Sequence, residues 1–113
     1  MKAAELLTAE ILDQLLTNGL ANDVDHPPVV KFFAPDANAT WLISELDPDD
    51  PDRLFGLCDL GLGSPELGYV SLTELRCVKG PLGLLIERDL HFVANRPLSA
   101  YADEARVNGR ILA

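Results

Sequence analysis

Residues Glu66–Val93, ELGYVSLTELRCVKGPLGLLIERDLHFV, decide how the chain is read. Ser71 followed by Glu74 forms a capping box, in which each side chain satisfies a free amide at a helix start. The spacing predicts a short helix over Ser71–Val78, with Leu72, Leu75 and Val78 turned toward a core. Gly80-Pro81 ends it, because glycine accepts a left-handed exit and proline cannot continue a helix. From Ile86 to Val93 the text alternates. Ile86, Arg88, Leu90 and Phe92 fall on one face, and Glu87, Asp89, His91 and Val93 on the other, a period of two that predicts a half-buried strand. Arg88 lies in phase with apolar residues, so its head must snorkel to water or meet a carboxylate or carbonyl. It is expected to be a structural charge.

Working outward, Leu54–Leu60 reads as a strand, Gly61–Pro65 as a glycine-rich turn, and Leu67–Val70 as a short strand entering the helix. Upstream, Val29–Ala34 and Thr40–Leu46 are strands joined by Asp36-Ala37-Asn38, an antiparallel hairpin. Leu20–Pro28 is turn-like. At the amino terminus, Thr8 is an N-cap for an amphipathic helix. Leu7, Ile11, Leu12, Leu15 and Leu16 recur on one face, Glu10, Asp13, Gln14 and Asn18 lie opposite, and Gly19 closes it. Downstream, Asn95 and Pro97 start a last helix carrying Leu98, Tyr101, Ala102 and Ala105, ended by Gly109, with a frayed tail beyond. Short connections between successive strands predict one α+β domain over residues 1–113. Its expected architecture is an antiparallel meander of about five strands, with the first helix packed on one face and short helices late in the chain.

Composition narrows the functional classes. The chain has 113 residues, 18 acidic against 9 basic, and a net charge of -9. Such a surface repels phosphate backbones and anionic membranes, so no direct nucleic-acid or membrane contact is expected, and a protein partner, basic in character, is. Glu5, Glu10 and Asp13 interrupt the first apolar stretch, which does not read as a signal peptide. Cys58 and Cys77 have neither CxxC nor metal-ligand spacing. Free, partly buried thiols in a reducing cytoplasm are the simplest reading.

Two constellations invite chemistry. Glu87, Asp89 and His91 would share a strand face, which suggests a metal-assisted hydrolase. Residues two apart on a strand are separated by ~7 Å, however, so Glu87 and His91 would be ~13 Å apart and could not share one ion. Asp59 or Glu45 would have to complete a site, and a solvated face pairing with Arg53, Arg76 or Lys79 is the simpler reading. Glu45, Asp47, Asp49, Asp50 and Asp52, within ELDPDDPDR, form the most biased segment. Its spacing departs from an EF-hand loop, which needs a central glycine and a terminal bidentate glutamate. A solvated acidic loop able to meet a basic protein, partly mimicking phosphates, is preferred. Gly61, Gly63 and Gly68 have no helix start or lysine to make a phosphate loop. GxSxG is absent, and His26 is a loop residue. No cofactor is expected.

The phrases VKFFAP, TWLISELD, LFGLCDLG, ELGYVSLTEL and GPLGLLIERDLHF, in that order over Leu6–Leu98, resemble the bacterial family catalogued as domain of unknown function 2958. The resemblance implies a plasmid or mobile-element setting. It carries no catalytic roles to transfer. Together these readings favour a non-catalytic interaction or regulatory module, with counter-defence as one role, over the hydrolase built on Glu87, Asp89 and His91.

Overall fold

A computed structural model describes residues 5–113. The elements are α1 (Ala9–Leu20), β1 (Val30–Phe33), β2 (Thr40–Leu46), β3 (Arg53–Asp59), β4 (Glu66–Ser71), α2 (Leu72–Cys77), β5 (Glu87–Arg88) and α3 (Leu98–Asn108). The strands form one antiparallel sheet in the order β4-β3-β2-β1-β5. The fold is therefore α+β, as expected. β1 to β4 are a simple meander. The chain then recrosses the sheet, and β5 pairs with the far side of β1, Phe32 opposite Arg88 and Phe33 opposite Glu87.

Alternation along the strands separates two cores. Val30, Phe32, Trp41, Ile43, Leu46 and Leu54 face α1 and α2, where Leu15, Leu72 and Leu75 meet them. Leu42 and Leu57 point the other way, onto Leu98, Tyr101, Ala102 and Ala105 of α3. Burial of a large apolar side chain contributes about 1.5–3 kcal/mol, so both layers bind their helices to the sheet. Between Ile43 and Glu45 the register slips by one residue, leaving Ser44 as the extra residue of β2. The bulge returns Leu46 to the α1 face.

The docked face of α1 differs from the expected leucine stripe. Leu15, Asn18 and Gly19 are buried, whereas Leu12 and Leu16 are exposed. The sheet-facing line runs through Ile11, Leu15, Asn18 and Gly19, at helical spacing. Asn18, assigned from the sequence to the solvent side, donates from Nδ2 to the Ser44 carbonyl (2.9 Å). Gly19 lies inside the helix. A Cβ there would sit 1.9 Å from the Leu46 carbonyl oxygen, so glycine permits close approach of α1 to β2. Hydrophobic periodicity could not place this line, because its centre is an amide and a glycine.

The expected strand Ile86–Val93 is also corrected. Only Glu87–Arg88 pairs; Leu90 and Val93 are 67% and 85% exposed. Phe92 crosses to the α3 core, with its ring 6.4 Å from that of Tyr101. β1 offers an edge only as far as the Lys31 carbonyl, which accepts from the Asp89 amide. The chain then turns, with Asp89 Oδ1 accepting from the His91 amide (2.8 Å).

The two late helices are capped differently, α2 locally and α3 from a distant segment. α2 has the expected Ser71 cap, with Oγ accepting from Glu74 N (3.1 Å), and it ends at Cys77, before Gly80-Pro81. α3 starts after Pro97, which supplies no side-chain cap, and Asp25 accepts from both Ser99 N and Ser99 Oγ instead. Gly109 closes α3 with φ +71, in the left-handed region. The tail beyond is pinned rather than frayed. Ile111 N donates to Asp59 (3.0 Å), and Lys31 Nζ to the Ala113 carbonyl (2.7 Å).

Leu15→Asp is expected to destabilise the fold by about 3 kcal/mol or more, through an unpaired buried charge. Leu12→Asp and Leu16→Asp should cost far less. Gly19→Ala should cost about 1–3 kcal/mol by overpacking against the β2 backbone. Urea titration of the four variants checks this ordering; equal losses at positions 12 and 15 would reject the observed docking face.

Candidate functional site

The acidic segment is the β2–β3 connection, and its geometry follows from aspartate's habit of binding nearby amides. Asp47 Oδ1 accepts from Asp49 N (2.8 Å) and Asp50 Oδ1 from Asp52 N (3.0 Å). Pro48 and Pro51 stiffen the same two turns. Backbone bonds from Asp50 N to the Asp47 carbonyl and from Arg53 N to the Asp50 carbonyl complete the loop. Asp52 has a different task. Its Oδ1 accepts from Thr73 N (2.8 Å) and Thr73 Oγ1 (2.7 Å), and its Oδ2 accepts from Ser71 Oγ. The bonds from Ser71 and Thr73 hold its carboxyl below the usual carboxylate range. Asp52 thus ties the acidic loop to the end of β4 and the start of α2.

Among the described residues, none of Glu45, Asp47, Asp49, Asp50 and Asp52 forms an ion pair with lysine or arginine. Glu45 stands apart from the aspartates. It sits within β2 opposite Phe55, and burial pushes its carboxyl up, partly offset by nearby His26. His26 Nε2 is 2.8 Å from the Ala21 carbonyl oxygen, a loop-fixing contact.

Glu87, Asp89 and His91 do not converge. Glu87 is exposed on β5, while Asp89 and His91 lie in the turn beyond it. Asp89 uses Oδ1 for the His91 amide and has Oδ2 3.4 Å from Lys31 Nζ. The His91 amide bond, reinforced by Lys31, lowers its pKa. Among the described residues no group of three or more His, Cys, Asp or Glu is placed to hold a metal. Arg88 faces the α1 side, in phase with buried Ile86. The expected carboxylate or carbonyl partner is not found: among the described residues the Arg88 side chain makes no hydrogen bond or ion pair, and its Nε is buried without an acceptor.

A cleft of about 520 Å³ opens on the α3 side, beside Lys31, Thr40, Asp59, Gly61 and Arg110. Its buried carboxylate is already committed, since Asp59 Oδ1 accepts from Gly61 N (2.8 Å) and Oδ2 from Ile111 N. Asp59 therefore anchors the tail along one wall of the cleft.

A further feature is legible only from strand register. Phe55 of β3 lies opposite Tyr69 of β4, and their rings are 5.2 Å apart. The Arg53 guanidinium stacks on Tyr69, 3.8 Å from its centroid. Tyr69 remains 60% exposed. This arginine–tyrosine–phenylalanine stack adjoins the acidic loop through Arg53 and Ser71. Alternation marks each strand, but only their pairing brings the three side chains together.

Cys58 and Cys77 are free, Cys77 being exposed, and burial pushes the Cys58 thiol up to about 11.

Residues 6–112 match a family described as "Protein of unknown function (DUF2958)", and the chain belongs to that family. No curated protein and no solved structure matches it.

Iodoacetamide near pH 8 should label Cys77 and leave Cys58 untouched in the folded protein, because only the thiolate reacts. Mass spectrometry of the labelled chain decides it; comparable labelling of both thiols would contradict the burial of Cys58. Asp52 should show in acid. Its folded pKa lies below the unfolded value of about 3.9, so its stabilisation is complete above that value and is lost as pH falls from there through the folded pKa. Thermal melts from about pH 5 downward should fall less steeply for Asp52→Asn than for the natural chain. Parallel curves would mean that Asp52 does not anchor α2.

Proposed function

We propose that this chain is a non-catalytic interaction module that presents a rigid acidic surface to a basic protein partner. The observation that carries the reading is the β2–β3 loop. Asp47, Asp49 and Asp50 are held by turns and prolines in one geometry, with no ion pair to a cation among the described residues. Binding a basic group then requires little further ordering of the loop, and preorganisation of this kind favours affinity. The net charge of -9 steers such a partner toward the surface.

The setting proposed with it is a reducing cytoplasm, from the two free cysteines, and a bacterial plasmid or other mobile element, which the family resemblance implies. Occupying a basic nucleic-acid-binding protein there would serve counter-defence without contact to nucleic acid or membrane. No helix among the described residues is long and apolar enough to cross a membrane. The hydrolase reading gains no support, since Asp89 is engaged by Lys31 and the His91 amide and Glu87 stands apart.

Asn at positions 47, 49 and 50 keeps each Oδ1 acceptor while removing the charge, and leaves the Asp52 anchor intact. Proteins captured from a bacterial extract on the natural chain should be lost on the Asp47→Asn, Asp49→Asn, Asp50→Asn variant. They should also elute between about 0.1 and 1 M salt, as the Debye length falls from about 10 to 3 Å. Equal capture by both forms at both salt levels would remove the acidic loop from the account.

A further inference from the structure

The two edges of the sheet are unequal. β5 exposes only two residues before the chain turns away, and brevity is a common protection for an edge. β4 runs for six residues with an unbroken register against β3 and, among the described residues, nothing paired on its other side. Its sequence, ELGYVS, carries a single charge, Glu66 at its start, and has no lysine, no proline and no bulge to blunt the edge.

The direction of the free backbone groups follows from the ladder. Leu72 N donates to the Asp52 carbonyl (2.9 Å), which places Asp52–Leu72 at a hydrogen-bonding position of the ladder. Antiparallel pairs alternate, which makes Leu54–Val70, Gly56–Gly68 and Cys58–Glu66 the bonded pairs and turns the amides and carbonyls of Leu67 and Tyr69 outward. Among the described residues, no backbone group outside β3 bonds to either. Leu67 and Tyr69 side chains share one face, 38% and 60% exposed, and Tyr69 is held by Phe55 and Arg53. On the opposite face a side chain added at Gly68 would meet nothing within 4 Å, so an approaching chain finds room there.

Resting on the interaction-module reading, we propose that the partner enters as an extended basic segment that adds a strand to the outer edge of β4. Backbone bonds to Leu67 and Tyr69 supply the pairing, and Tyr69 supplies a rigid aromatic contact of the kind that dominates interfaces. Charge selects the occupant. Glu66 marks one end of β4, and Asp52, bonded to Ser71, brings the acidic loop to the other. Lysine or arginine at the ends of an added strand meets carboxylates at both. A second copy of this chain, added antiparallel, would set its Glu66 against the first copy's acidic loop, and is disfavoured by like charge.

The probe is a synthetic peptide of about eight residues in which lysine alternates with valine, the length of one strand. Counter-probes replace lysine by glutamate, or place a proline at the centre. Fluorescence anisotropy should show binding of the first peptide alone. Tyr69→Pro removes both the outward amide and the aromatic contact, at a position where an edge strand tolerates proline, and should weaken binding at least about tenfold. In the natural chain, hydrogen exchange at the Leu67 and Tyr69 amides should slow when the peptide is added, which decides the matter even if the proline variant folds poorly. Unaltered exchange at these two amides, or equal binding of the proline-interrupted peptide, overturns the β4 site. If such binding still vanishes with Asp47→Asn, Asp49→Asn, Asp50→Asn, the acidic-surface reading survives its loss. Binding confined to the β4 edge and indifferent to those three substitutions would reject the acidic reading instead. A concentration-dependent dimer abolished by Tyr69→Pro would assign the edge to a second copy and overturn the proposal.

Discussion

Amides outside the helix and strand ladders still need acceptors, and a carboxylate of the chain can take the place of water as a strong one. This chain meets that constraint largely with aspartates from distant segments. Asp52 receives Thr73, Asp25 receives Ser99, Asp36 receives the Leu82 amide, and Asp59 receives Gly61 and Ile111. The first two begin α2 and α3, the third fixes the loop before β5, and the fourth holds the tail across the sheet. Much of the acidity is therefore architectural. Removing one of these carboxylates would loosen a segment far from it in sequence.

That division of labour sharpens what the remaining acids can do. Asp52 is committed to Ser71 and Thr73, Asp59 to the Gly61 and Ile111 amides, and Glu45 is partly desolvated on β2. Asp47, Asp49 and Asp50 form the part of the charge that is both fixed and outward. They lie at one end of the open β4 edge because Asp52 bonds to Ser71. One carboxylate thus links a structural duty, capping α2, to the placement of a candidate binding surface.

The two helical layers explain why β4 is left open. α1 and α2 cover one face and α3 part of the other, and Leu98, Tyr101 and Ala102 are drawn to the centre of the sheet at Leu42 and Leu57. α3 docks over the middle of the sheet, while the aromatic stack at Phe55 and Tyr69 lies toward the β4 margin. Leu67 and Tyr69 are then only half covered, an arrangement that suits contact with another chain better than enclosure of a small substrate.

Local pattern determined a good deal by itself. Period-two runs marked β1 to β4, the Ser71 cap marked α2, Thr8 marked the start of α1, and the order of apolar phrases marked the family, all features written within a few residues of one another. The acidic loop was equally legible, being composition. Tertiary structure decided the rest. The docked line of α1 passes through Asn18 and Gly19, because close backbone approach and one amide bond to Ser44 outweigh two more leucines. Ile86–Val93 alternates like a strand yet pairs only at Glu87–Arg88. Alternation reports which residues could share a face, whereas pairing requires a neighbouring edge, and β1 accepts the chain only to Asp89. The same reason separated Glu87 from His91 and assembled Arg53, Phe55 and Tyr69: sequence spacing sets distances along one strand, and only register sets them between two.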